Sequence, residues 1–195
     1  MVLTCASSVV FSQTRFEIMG GGARSDVRKS GPGSHVSTQP FYGWFAGVRL
    51  QHNFTDHFYS IFSASESVRG YGQKAFQIKN RLIYSDLHAM AGYDFDHHFG
   101  VCFGGFMSVL SKSSIKTSGS NWEDPAVEMF NNLDGGVCAE ANYVKGKVSF
   151  FARYNYGLGN LDKYKVTDEN GNTLGTAKLR DQFLEIGSGI CLLKK

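Results

Sequence analysis

The feature that most restricts this chain is a two-residue alternation, clearest in Val148-Ser-Phe-Phe-Ala-Arg-Tyr-Asn-Tyr-Gly-Leu158. Successive side chains of a strand point to opposite faces. Val148, Phe150, Ala152, Tyr154, Tyr156 and Leu158 therefore share one face, and Ser149, Arg153, Asn155 and Gly157 the other. One face is apolar and aromatic from end to end, backed by small, polar or charged residues. Such a strand suits hydrocarbon outside and a packed polar interior.

Seven further segments repeat the pattern: 14–29, 41–54, 58–71, 80–96, 99–111, 130–144 and 179–192. The apolar sets expected to face outward include Tyr42, Trp44, Val48 and Leu50 in the second, Leu87, Ala89 and Tyr93 in the fourth, and Val101, Phe103 and Met107 in the fifth. Leu133, Val137 and Tyr143 continue this set in the sixth, and Leu184, Ile186, Ile190 and Leu192 in the last. The third segment has an open phase, because either Tyr59 and Ile61 or Phe58 and Phe62 face outward according to the length of the preceding turn.

Connections alternate between long (30–40, 112–129, 164–178) and short (55–57, 96–98, 145–146), which puts both chain ends on the short-turn side. The expected fold class is all-β, an eight-stranded antiparallel up-and-down transmembrane β-barrel occupying residues 14–195 as one domain. Asn170-Gly171 favours a two-residue turn, which would misphase the last two apolar faces. A three-residue turn or a bulge, setting Leu158 opposite Leu184 and Tyr156 opposite Ile186, is expected instead. Residues 1–13, moderately apolar and rich in small residues, read as the remnant of a secretory signal.

Composition narrows the function classes. Basic and acidic residues are interspersed and leave a net charge of only +3, so no field exists to collect nucleic acid, and none is expected as a partner. No run approaches the roughly 18 apolar residues of a membrane helix, which a strand-built membrane protein does not need. Glycine at 23 residues against 3 prolines fits tight strand packing better than flexible linkers.

Asn80-Arg-Leu-Ile-Tyr84, Ala91-Gly-Tyr93, Arg153-Tyr-Asn-Tyr-Gly-Leu158 and Phe183-Leu-Glu-Ile-Gly-Ser-Gly189 resemble the PorT-type outer-membrane β-barrel family of Gram-negative bacteria. The resemblance implies an eight-stranded, OmpX-like or porin-like barrel, an outer-membrane location and, for one class of members, an association with protein secretion. The partners it implies are the lipid bilayer and an envelope or secretion-complex protein.

Seven charged residues fall on the expected lumen face: Glu17, Arg49, Asp86, Asp134, Glu140, Arg153 and Glu185. An eight-stranded barrel is only wide enough for its own side chains. Opposite charges there must pair or bear a large desolvation penalty, which predicts a salt-bridged plug; a narrow ion path is the functional alternative. Cys102 and Cys138 lie inward on adjacent strands, and a register with Leu110 opposite Asn131 would bring them close enough for a cross-strand disulfide. His97-His98 lacks a third ligand and reads as solvated turn, so no metal is expected; neither is a cofactor.

No Gly-x-Ser-x-Gly elbow exists and no catalytic residues are assigned. Aromatic residues stand at two levels, Phe54, Phe95, Phe99 and Tyr143 near the short turns and Tyr42, Trp44, Tyr71 and Tyr156 toward the long loops, as two bilayer interfaces require. The leading expectation is a structural or interaction barrel acting through its long loops, with Trp122 and Phe130 as contact anchors. Two other classes remain open. A soluble lipocalin-like carrier of a hydrophobic ligand would reverse the two faces, and a barrel enzyme would act on lipid or peptide.

Overall fold

The computed structural model describes residues 13–30, 38–73, 77–96, 98–117, 119–124, 130–161, 166–167, 173–175 and 178–194. Eight long strands form the wall: β1 (Gln13–Ser30), β2 (Thr38–Asn53), β3 (Phe58–Gln73), β4 (Ile78–Asp94), β5 (Phe99–Lys116), β6 (Leu133–Lys145), β7 (Val148–Gly157) and β10 (Lys178–Lys194). Each pairs antiparallel with its sequence neighbour, and β1 pairs with β10 to close the ring. The short strands β8 (Val166–Thr167) and β9 (Thr173–Gly175) pair with each other, apart from the barrel. No helix of the described residues is long and apolar enough to cross a membrane.

The short connections have local causes. Thr55 Oγ1 accepts the Phe58 N–H at 2.9 Å, and Asp96 Oδ1 accepts the N–H groups of His98 and Phe99, both at 2.7 Å. Side-chain oxygens that satisfy turn amides in this way hold the chain for its reversal. Between β6 and β7 the turn is Gly146 with Lys147, one residue later than expected, and Gly146 adopts the positive φ of 62° that such a turn demands.

The turn of residues 54–57 settles the phase of β3: Phe58 and Phe62 point outward, while Tyr59 and Ile61 are buried inside. Several other expectations need correction. β2 begins at Thr38, so Pro40 belongs to the strand, and a bulge between Pro40 and Phe45 absorbs the misfit with β3. β5 runs on to Lys116, shortening the loop that follows. β7 and β10 set Tyr154 opposite Leu184 and Tyr156 opposite Gln182, four residues from the expected register. An even slide keeps both apolar faces in phase, which is why alternation alone could not detect it. Asn170-Gly171 and the segment 1–12 lie outside the described residues.

The cross-strand disulfide that the sequence left possible is not formed, and Cys102 and Cys138 are both free thiols. Cys102 stands opposite Glu140 and Cys138 opposite Gly104, so the two are diagonal rather than facing. The register sits two residues beyond the one that would set them face to face, and one beyond the pairing of Leu110 with Asn131.

The interior divides into layers. Toward the long loops, Val27, Tyr71, Leu82, Tyr84, Phe130, Leu161 and Leu179 form an apolar cap. Deeper lie Tyr59, Ile61, Met90, Phe106 and Phe183, and beside them Met19, Phe45 and Phe151. Phe130, expected as an external anchor, is instead buried edge-on against Tyr71, and Tyr71 is not an outward interfacial ring. Main-chain bonds hold this cap: Asn131 N–H to Leu161 O at 2.9 Å and Leu161 N–H to Leu179 O at 2.8 Å. Residues 130–131 and 160–161 thus fold inward over the lumen instead of extending away from it.

Candidate functional site in the barrel lumen

Alternation puts every second side chain of a wall strand into the lumen, and eight strands bring these within reach of one another across it. All seven charged residues expected inside are buried there. Three more, Arg15, Arg69 and Asp181, complete the set. Arg69 sits on the strand whose phase the sequence left open. Asp181 and Arg15 share the inward parity of Glu185 and Glu17, so the same rule would have found them.

The charges fall into two groups. The first is a ladder nearer the short-turn end. Arg15 Nε donates to Glu17 Oε1, and Arg49 Nη1 stands 3.9 Å from Glu17 Oε2. Arg49 Nη2 donates to Glu140 Oε1, and Arg153 Nε donates to Glu140 Oε2 at 2.9 Å. Arg153 Nη1 reaches Glu185 Oε2 at 3.4 Å. Ser149 Oγ adds a bond to Glu17 Oε2 at 2.9 Å, and Asn155 Nδ2 one to Glu185 at 3.4 Å. Three guanidinium groups meet three carboxylates, so the ladder carries no net charge. The contact between Arg49 and Glu140 spans the lumen from β2 to β6, strands that are not neighbours in the wall.

The second group surrounds Arg69. Its Nη1 donates to Asp181 Oδ2 at 2.9 Å, and its Nη2 donates to Asp86 Oδ1 and to Ser108 Oγ. Ser67 and Ser108 each donate to Asp86 at 2.5 Å. The guanidinium lies between two rings, with Tyr84 at 4.2 Å and Phe183 at 3.9 Å. Charge-assisted hydrogen bonds and ring faces together replace the water that the buried cation has lost. Asp134 departs from the expectation of pairing. Its Oδ1 accepts the Gly135 N–H at 2.8 Å, and Oδ2 has no hydrogen-bond partner among the described residues.

Side chains pack across the interior at both levels. A polar recess of about 300 Å³ opens at the short-turn end between Gln13, Gln51, Asp94, His98 and Lys194, and it is floored in part by Arg15, already bonded to Glu17. Above the ladder come the Arg69 group and the apolar cap. Among the described residues no cluster of histidine, cysteine or carboxylate groups is arranged to hold a metal ion.

The exterior has the opposite character. Ile18, Val48, Leu87, Phe103, Phe150, Ile186 and Ile190 project from the wall, with Phe54, Phe95 and Phe99 at one rim and Tyr42 and Trp44 toward the other. Small residues such as Ala91, Ala139, Ala141 and Ala152 floor a shallow groove of about 680 Å³ on this surface. Trp122, the second expected anchor, is half-buried with Arg81 lying 4.6 Å over its ring.

No protein-family model and no curated protein sequence matches the chain. Solved structures do. The attachment invasion locus protein Ail of Yersinia pestis, in complex with the heparin analogue sucrose octasulfate, aligns over 93% of this chain and 99% of its own, at 14% identity and a TM-score of 0.51. Neisserial surface protein A aligns over 90% of this chain and 96% of its own, at 16% identity and a TM-score of 0.54. At such identities the likeness is one of fold. The architecture of this chain is that of the eight-stranded outer-membrane β-barrels.

Proposed function

We propose that the chain is an integral outer-membrane protein with a plugged lumen, whose role is structural or interactive and is carried by its long loops. One observation supports this most: Arg153 is 0% exposed while its neighbour Tyr154 is 47% exposed and points away from the barrel. A soluble barrel would reverse that polarity. Burying a guanidinium beneath an exposed apolar face is favourable only if the surroundings of that face are themselves apolar. The lipocalin-like carrier is disfavoured for the same reason, since charged and aromatic side chains occupy its would-be cavity.

A non-conducting lumen follows from the neutral ladder and the apolar cap, which leave an ion no hydrated route. The long connections, 30–40, 112–129 and 164–178, are the parts that this reading assigns to partners in the envelope. A secretion complex, as the PorT-type resemblance implies, is one class of such partner.

The test combines two readouts on the full chain refolded in detergent and in vesicles. Faster gel migration without boiling than with it, together with an absence of steady unitary conductance in a planar bilayer, is the expected result. A chain that stays monomeric in plain buffer and binds a fluorescent fatty acid would overturn the membrane reading. Stable, ion-selective conductance would overturn the plug.

A further inference from the structure

On the outer wall, where β1 closes against β10, Arg28 stands directly opposite Arg180. Like charges facing each other across a strand pair repel. Both guanidinium groups also lie near the Tyr156 hydroxyl of β7. Arg24 projects from the same face lower on β1, and Lys178, opposite Ser30, extends the patch upward. Asp26 lies between the two β1 arginines, opposite Gln182, and its Oδ1 accepts the Val27 N–H at 2.8 Å. None of Arg24, Arg28 and Arg180 forms an ion pair with a carboxylate among the described residues. The buried charges are mostly paired, whereas among the described residues these four cations have one carboxylate, Asp26, in their midst.

Height on the barrel identifies what would neutralise them. Arg24 shares a cross-strand row with Tyr42, Leu184 and Tyr154, the level of the aromatic ring toward the long loops. Arg28, Arg180 and Lys178 stand above that row, and Ile186, Ile190, Ala152 and Phe150 form the apolar wall beneath it. Aromatic rings of this kind mark the bilayer interface, so cations just beyond them lie among lipid headgroups.

We propose that this patch binds the phosphate of an anionic lipid in the outer leaflet. Arg28 and Arg180 grip the phosphate from two strands, Arg24 and Lys178 flank it, and the acyl chains run down the wall below. Planar guanidinium forks match phosphate oxygens in pairs, which a lone lysine cannot do. The bound phosphate also relieves the repulsion at the seam where the barrel closes. This inference rests on the outer-membrane reading.

The experiment reconstitutes the full chain in phosphatidylcholine vesicles doped with bisphosphorylated lipid A or with its dephosphorylated form, and measures lipid retained after extraction in mild detergent. Preferential retention of the phosphorylated form is expected. In R28Q/R180Q that retention drops roughly thirtyfold, with the dephosphorylated form unaffected, while R28K/R180K falls between. Excess inorganic phosphate leaves the lipid bound if the site reads a headgroup, and displacing it at millimolar levels would show a free-anion site and overturn the proposal. Equal retention of the two lipids by the wild type, or unchanged retention by R28Q/R180Q, also overturns it. Should the double variant fail to insert, the comparison of the two lipids on wild type decides alone. Wild-type chain that never acquires heat-modifiable migration defeats the membrane reading and this proposal with it, whereas insertion without lipid preference defeats this proposal only.

Discussion

Replacing Glu140 with glutamine tests the ladder at its central rung. Glu140 accepts from Arg49 through one oxygen and from Arg153 through the other, at 2.9 Å in the latter case, with its side chain wholly enclosed. The amide keeps one acceptor oxygen and turns an NH₂ group toward the other guanidinium. Two buried cations then share only Glu17, at 3.9 Å from Arg49, and Glu185, at 3.4 Å from Arg153. Removing one partner of a buried ion pair costs about 3–5 kcal/mol, because the remaining charge stays desolvated. With a denaturant dependence of about 2 kcal/mol per molar urea, the unfolding midpoint in vesicles should fall by roughly 2 M. Urea titration followed by unboiled-gel migration or tryptophan emission reads this directly. The companion double variant E140Q/R49M should lose less than the sum of the single variants, by about 1 kcal/mol or more, since it also removes the stranded cation. A midpoint for E140Q within error of wild type would refute the claim that these charges are desolvated and interdependent.

Three other expectations follow from particular contacts. At Gly92 an added methyl would sit 2.2 Å from the Tyr59 ring, so G92A should lose about 1–3 kcal/mol by urea titration, while G22A, which meets nothing within 4 Å, serves as the tolerant control; equal effects would contradict the packing. Phe150 faces outward on β7, and F150R should cost about 2–4 kcal/mol in vesicles, unless that face meets water, in which case the change is nearly neutral. Free and buried, Cys102 and Cys138 should react with an alkylating reagent only after unfolding, with gel mobility independent of reductant; a mobility shift would restore the cross-strand bond.

Alternation alone made the faces legible. Val148 to Leu158, and the residue sets of β2, β4, β5, β6 and β10, could be sorted inward and outward because a strand has a fixed period of two. Where a turn length was ambiguous, as before Phe58, the period gave two equally consistent answers, and Arg69 was missed with it. Long connections concealed more. A slide of four residues between β7 and β10 alters no face, so Tyr154 opposite Leu184 had no sequence signal to reveal it. Phe130 and Leu161 lie beyond the regular strands, and their burial depends on a loop turning back over the lumen, which periodicity does not encode. Among charges, parity identified which side chains enter the lumen but not which meet. The pairing of Arg49 with Glu140 is set by the barrel's width and by strand stagger, properties of the closed ring.

That transverse contact also bears on assembly. Arg49 enters the chain on β2 and finds Glu140 only on β6, while Glu185 and Glu17 belong to the last and first strands to meet. A half-inserted sheet, curled but unsealed, would hold unmatched ions against acyl chains at a cost of several kcal/mol each. On the outer-membrane reading, insertion and ring closure are expected to be coupled into one cooperative event, without a lipid-embedded open sheet as a resting stage.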